Sequence, residues 1–300
     1  MSLFQRVMLA VSRDDSDAGL LCYARMLASL APEAEFHIVH VLGWAPGTKN
    51  PPELVTHEQA KKQVQESVSK HLGCSAKTHC HVIHGTRMDS LLEAAVGTRA
   101  DLILVGHRKS RSGRRSLARR LSMKAPCSVW MAPEGSPAEI NRVLAAVDFS
   151  VHSALALNIA TEIASQRKLS ECLALHVYFN QAIAGVDEYE TVLRDREEDA
   201  FARFVAPLDL HGVSVKPIFE ASFSVSHVTG RLAESEGVDL IVMGTRGQSR
   251  SASILLGSES EQVLMETRKP VLVVKERGER IGLLRVLLDR AFHIDTPKFG

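Results

Sequence analysis

Residues 238–247 read VDLIVMGTRG, and residues 100–106, ADLILVG, repeat the first seven positions with one Asp ahead of an apolar run. Short, nearly continuous runs of Val, Ile and Leu mark strands buried on both faces, as in a parallel sheet covered by helices. Moving outward from this pair, RVLAAV (142–147) matches RVMLAV (6–11). CLALHVYF (172–179) matches FHIVHVLG (36–43), sharing His176-Val177 and His40-Val41, and KPVLVV (269–274) matches CSVWMA (127–132). The blocks keep their order while the offset drifts only from 136 to 142. A period this long means tandem domains rather than a solenoid.

Helix-period segments separate the apolar runs, for instance 17–31, 52–72, 153–166 and 187–208. Alternating strands and helices build right-handed βαβ units, so each half is expected to be an α/β doubly wound parallel sheet. The polar stretch Pro133-Glu134-Gly135-Ser136-Pro137 suits a linker. The expected organisation is a first domain over 1–134, a second over 140–276 and a C-terminal helical tail over 277–300.

Composition narrows the function. The chain has 300 residues, 45% of them apolar and 5% aromatic, with a net charge of +1. Basic charge is in excess in the first half, mainly between Arg108 and Lys124, and acidic charge in the second. The run 108–124 carries no interleaved aromatic for base stacking, so no specific nucleic acid is expected. The segment MSLFQRVMLAV shows no secretory pattern, and no apolar stretch reaches the roughly 18 residues of a membrane span. The five cysteines form no C-x-x-C pair and are expected to be idle thiols in a reducing cytoplasm.

The chemistry is expected after the strand VDLIVM. Gly244 and Gly247 are followed, after nine intervening residues, by Gly257-Ser258 and then by a helical SEQVLMETR (260–268). Glycines at such points are expected to bend through positive φ and to let amides approach a ligand. A helix starting after Gly257-Ser258 would add free N–H groups and the positive end of its dipole, a natural phosphate site.

On these residues the chain resembles the ATP-binding branch of the universal stress protein family. The resemblance rests on Asp148-Phe149-Ser150, His176-Val177, MGTRG (243–247), LLGS (255–258) and KPVLVVK (269–275), and extends over both halves to about residue 276. It implies two five-stranded sheets of strand order 3-2-1-4-5, similar to the adenine-nucleotide alpha hydrolases. It further implies Asp148 and Val177 around adenosine, and Gly244, Gly247, Gly257, Ser258, Glu259 and Ser260 around phosphates. The implied cofactor is ATP, with Mg²⁺ as a candidate companion, and the implied partner is a second copy in a four-domain assembly. Glu259 departs from the pattern, since a small apolar residue is more usual there. Its carboxylate has to point away from a phosphate or meet a metal ion.

The first half departs further: Ser12 stands where Asp148 stands, Lys109 replaces Gly247, Arg115 falls opposite Gly257, and the loop is four residues shorter. No family-type ATP site is expected there. His79 and His81, with His84 nearby, are weighed as metal ligands, but surface imidazoles are the expected account. The tail IGLLRVLLDRAF (281–292) is expected to dock on protein rather than on a membrane surface. The function expected is adenine-nucleotide binding in a stress response, without rapid turnover and with no catalytic residue assigned. The alternatives are a nucleotide-free scaffold using 108–124 or the tail, and a slow Mg²⁺-dependent ATP hydrolase.

Overall fold

The computed structural model describes residues 3–43, 56–72, 76–107, 116–179, 187–245, 257–275, 284, 288 and 291. Residues 44–55 and 180–186, the basic stretch 108–115, Gly247 and most of the tail lie outside these residues. Two compact units result, residues 1–139 with 269–272 and residues 140–268 with 273–300.

In the first unit the elements run β1 (Arg6–Val11), α1 (Ser16–Leu30), β2 (Glu35–Leu42), α2 (His57–His71), β3 (Lys77–His84), α3 (Arg87–Gly97), β4 (Leu102–His107), α4 (Leu117–Lys124) and β5 (Ser128–Pro133). The strand order is β3-β2-β1-β4-β5, with parallel pairing throughout. The second unit repeats it with β6 (Val143–Ala146), α5 (Val151–Gln166), β7 (Glu171–Tyr178), α6 (Asp187–Val205), β8 (Ser214–Ala221), α7 (Val225–Ser235), β9 (Leu240–Gly244), α8 (Ser258–Glu266) and β10 (Val271–Val274). Here the order is β8-β7-β6-β9-β10, and β6 pairs in parallel with β7 and β9, as β7 does with β8. The expected order 3-2-1-4-5 is thus present in each unit.

The apolar runs form strands because helices bury them on both faces: Leu9, Leu104, Leu144 and Ile241 are completely buried. The edge strands differ. β8 carries Pro217, which an edge tolerates because no ladder partner needs its missing N–H. Helices start where polar caps replace the missing backbone bonds. Thr56 and Gln59 form a reciprocal capping box, and Ser150, Ser224 and Ser116 each accept from an amide of the first turn. Helix α6 ends at Val205 and α8 at Glu266, two to three residues earlier than the periodicity predicts.

The shared His-Val pairs have a common task. His40 Nδ1 lies 3.1 Å from the carbonyl of Val11, and His176 Nδ1 lies 2.9 Å from that of Val147. Each imidazole ties the second strand of its unit to the end of the first. The following residues, Arg13 and Phe149, both take a φ of 62°, so the two chains turn alike although only one is aromatic.

Three imidazoles gather on the first unit's edge. His37 on β2 stacks on His79 and His81 of β3, with ring centroids 5.0 and 5.4 Å apart, and His37 Nδ1 lies 3.2 Å from His81 Nε2. His84 instead stacks on His57 at 5.9 Å. Among the described residues no group of three or more His, Cys, Asp or Glu is arranged to hold a metal ion. Burial, followed by the neighbouring imidazoles, lowers the pKa of His37; burial and His79 do the same for His81. Elsewhere Cys127 and Cys172 are buried, and burial pushes the Cys172 thiol up to about 12.

Two predictions follow from packing and titration. A Cβ on Gly244 would lie 2.9 Å from the backbone C and O of His152, whereas one on Gly106, the first-unit counterpart, would meet nothing within 4 Å. Gly244→Ala is therefore expected to cost about 1–3 kcal/mol by urea unfolding, and Gly106→Ala much less. Because the His37 and His81 pKa values are lowered on folding, the unfolded chain takes up protons first. Their contribution is complete above the ordinary value near 6.5 and is lost as pH falls through it. The urea midpoint of the wild type is expected to drop more steeply between pH 7.5 and 5.5 than that of His37→Gln; parallel slopes would contradict this.

Candidate functional site

The carboxyl ends of β6, β7 and β9 lie along one edge of the second sheet, the edge where open α/β sheets leave a crevice. A cavity of about 180 Å³ opens there. Ala146, Leu175, Val177, Val225, Met243 and Val263 form its apolar wall, while Asp148 and Ser153 stand at one end and Gly257 through Ser260 at another. Of the eight residues singled out in the sequence, Asp148, Val177, Gly244, Gly257, Ser258, Glu259 and Ser260 all line this cavity. Gly247 lies outside the described residues.

Local chemistry fixes the Asp148 end. The amide of Asp148 donates to Ser153 Oγ at 3.3 Å, and the amide of Ser150 donates to Asp148 Oδ1 at 3.1 Å. Ser150 in turn caps α5 by accepting from the amide of Ser153 at 3.2 Å. The turn that carries this cavity-lining carboxylate is thus braced by three short-range hydrogen bonds. Behind that turn, Phe149 stacks on His176 with centroids 4.1 Å apart and packs near Phe201 and Phe204. His176 Nε2 lies 3.3 Å from Glu197 of α6.

The glycines act differently from the sequence expectation. Gly257 has φ −60° and ψ 150° as the N-cap of α8, and the described glycines of positive φ are Gly85, Gly135, Gly212 and Gly237. Neither Gly244 nor Gly257 takes up the left-handed region, so the expected bend through positive φ does not occur at these two glycines. Gly244 is required by its contact with the His152 backbone, and Gly257 has room for a Cβ, whose nearest neighbour would be 3.7 Å away. Gly257 lines the cavity without a side chain of its own.

A second correction concerns the amides. The N–H of Gly257 donates to the carbonyl of Thr245 at 2.8 Å, so it is not free for a phosphate. The N–H groups of Ser258, Glu259 and Ser260 open the helix and have no intrahelical acceptor. Ser260 Oγ donates to the carbonyl of Gly244 at 3.2 Å, tying the start of α8 to the end of β9. Glu259 and Glu261 both fall in the first turn. They favour the helix dipole but oppose an anion beside it. The Glu259 side chain is exposed.

Several cavity residues escaped sequence reading, namely Ala146, Leu175, Val225, Met243 and Val263. Ala146, Leu175 and Met243 sit in runs that already read as core, so the only available signal was their nearness to a strand's carboxyl end, and Val263 lies within the segment read as a helix. Val225 opens α7, and nothing in its sequence surroundings marks it.

The equivalent turn in the first unit is wired otherwise. Asp17 accepts from the amides of Ser12 and Arg13 at 2.9 and 2.6 Å, and burial raises its pKa. Arg13 Nε donates to His40 Nε2 at 2.9 Å and its Nη1 to Gln63 at 2.8 Å. The carboxylate has moved from the loop to the helix, and a guanidinium occupies the position of the Phe149 ring.

Comparison with known proteins agrees with this architecture. The model of the universal stress protein family matches residues 3–133 and 139–275. A universal stress protein of Thermus aquaticus is 31% identical over 134 residues, 44% of this chain and 97% of that protein. One from Methanocaldococcus jannaschii is 34% identical over 97 residues, which is 31% of this chain and only 59% of that protein. The crystal structure of a universal stress protein from Archaeoglobus fulgidus superposes with a TM-score of 0.65 at 18% identity, covering 93% of this chain and 98% of that one, a likeness of fold. No helix among the described residues is long and apolar enough to cross a membrane. With both of its halves matched in tandem, the chain belongs to the universal stress protein family.

Proposed function

We propose that the second unit binds an adenine nucleotide, with ATP as the leading ligand, and that the protein acts by binding rather than by rapid turnover. One observation carries this reading: an apolar wall, a fixed carboxylate and the first turn of a helix, whose amides have no intrahelical acceptor, line one cavity. Each suits a different part of a nucleotide. The wall of Leu175, Val177 and Met243 accepts a planar base, the Asp148 carboxylate can accept from ribose hydroxyls, and the amides of Ser258, Glu259 and Ser260 can donate to phosphate oxygens.

Size refines the picture. The cavity's 180 Å³ is below the about 300–1,000 Å³ of clefts that enclose a drug-sized ligand. A nucleotide therefore extends beyond the cavity, with its phosphates over the start of α8. A Mg²⁺ ion bound to the phosphates would offset the charge of Glu259 and Glu261. Binding without turnover is the reading adopted, because no described residue of the cavity pairs a nucleophile with a base. In this reading the protein works in a stress response as a second-unit nucleotide binder, and as a dimer of the whole chain.

Calorimetric titration of the full chain with ATP and Mg²⁺ tests the reading. Saturable binding is expected, abolished by Gly257→Arg, whose side chain would fill the cavity mouth. Asp148→Ala is expected to weaken binding about tenfold or more, since a hydrogen bond to a charged group is lost. Without Mg²⁺, Glu259→Gln is expected to strengthen binding about threefold to fivefold, the size of one exposed like-charge contact. No binding by the wild type favours a nucleotide-free scaffold. Rapid phosphate release abolished by Asp148→Ala favours a hydrolase.

A further inference from the structure

Two phenylalanines stand at the same sheet edge as the cavity without a role in the core. Phe179 directly follows β7 and Phe223 follows β8, and these strands are parallel neighbours. Their side chains are 56% and 78% exposed, and their rings sit 6.0 Å apart at a 46° tilt. The other exposed large apolar residues described, Val96, Val192 and Met265, are aliphatic. Scattered single residues of that kind are ordinary, whereas two adjoining exposed aromatics mark a contact surface.

The backbone holds this pair in place. The amide of Ser222 donates to the carbonyl of Tyr178 at 3.0 Å, carrying the β7–β8 ladder one step beyond the strands. The amide of Ser224 donates to Ser222 Oγ at 3.1 Å, and Ser224 Oγ accepts from the amide of His227 at 3.3 Å. Phe223 is therefore presented on a braced turn. Both rings also flank cavity residues in the chain: Leu175 and Val177 alternate onto the cavity wall, with Phe179 next in that alternation, and Val225 lies two residues beyond Phe223. In the first unit, where the glycine loop is missing, Gly43 follows β2 and Gly85-Thr86 follow β3. The aromatic pair and the glycine loop occur in the same unit.

We infer that Phe179 and Phe223 form an aromatic rim that contacts the purine ring of the nucleotide at the mouth of the cavity. The inference rests on the nucleotide reading of that cavity and names its base-selecting residues. A planar purine offers a π-face to one ring while the other, tilted by 46°, meets its edge. Stacking of this kind tolerates different bases but favours the larger ones, so ATP and GTP are expected to bind more tightly than CTP or UTP.

The test compares ATP with inorganic tripolyphosphate, which has the phosphates but no base, by calorimetry on the full-length wild type, Phe179→Ala, Phe223→Ala and Phe223→Trp. Each alanine variant is expected to lose about tenfold in ATP affinity and to bind tripolyphosphate within about twofold of the wild type. Phe223→Trp is expected to keep wild-type affinity for ATP. Thermal midpoints establish that the variants fold, which the exposure of both side chains favours. Equal ATP affinity in the wild type and alanine variants would overturn the rim and leave the nucleotide site standing. Equal losses for both ligands would assign the phenylalanines a structural role and overturn the rim as well. Absence of ATP binding by the wild type would remove the nucleotide reading and the rim together.

Discussion

The cavity depends on one close approach, that of the end of β9 to the start of α5. A side chain at residue 244 would occupy the space of the His152 backbone, 2.9 Å from its carbonyl carbon and oxygen. Because Gly244 has none, α5 can settle against β9, and Asp148 and Ser153 come to face the first turn of α8 across one small space. Ser260 reinforces the approach by donating to the Gly244 carbonyl. The glycine serves the packing first, and the site follows from the packing.

The duplicated scaffold shows how little must change for two units to diverge in chemistry. His40 and His176 perform the same backbone tie, and Arg13 and Phe149 share the same unusual φ. Around these fixed points the polar groups are exchanged. One unit places a carboxylate on the loop and a hydroxyl on the helix, as Asp148 and Ser153; the other places the hydroxyl-bearing Ser12 on the loop and Asp17 on the helix. Asp148 lines a cavity, whereas Asp17 is buried and accepts from the amides of Ser12 and Arg13. The same backbone turn supports a cavity-lining carboxylate in one case and a buried structural one in the other.

The strands were legible in the sequence because burial on both faces leaves an unmistakable apolar run, while their order followed from the family resemblance. The duplication made each run count twice. The cavity residues were legible at Gly244 and Gly257-Ser258 through their spacing after a strand, and at Asp148, Val177, Glu259 and Ser260 through the family resemblance alone. The physical role of the glycines was not: whether a glycine answers to φ, to a neighbour or to an open space depends on what lies across from it, as Gly244 and Gly106 illustrate. The donor lost to Thr245 was equally invisible, because that hydrogen bond joins residues twelve apart around a loop. His37 escaped notice for a similar reason, since only strand register places it beside His79 and His81.

The central claim is that the first turn of α8 holds an anionic group through the amides of Ser258, Glu259 and Ser260. Amide chemical shifts of ¹⁵N-labelled full-length protein during titration with ATP and Mg²⁺ measure this most directly. The account predicts the largest downfield changes at those three amides, with Gly257, already bonded to Thr245, moving less. Changes confined to other parts of the chain, or none at the start of α8, would contradict it.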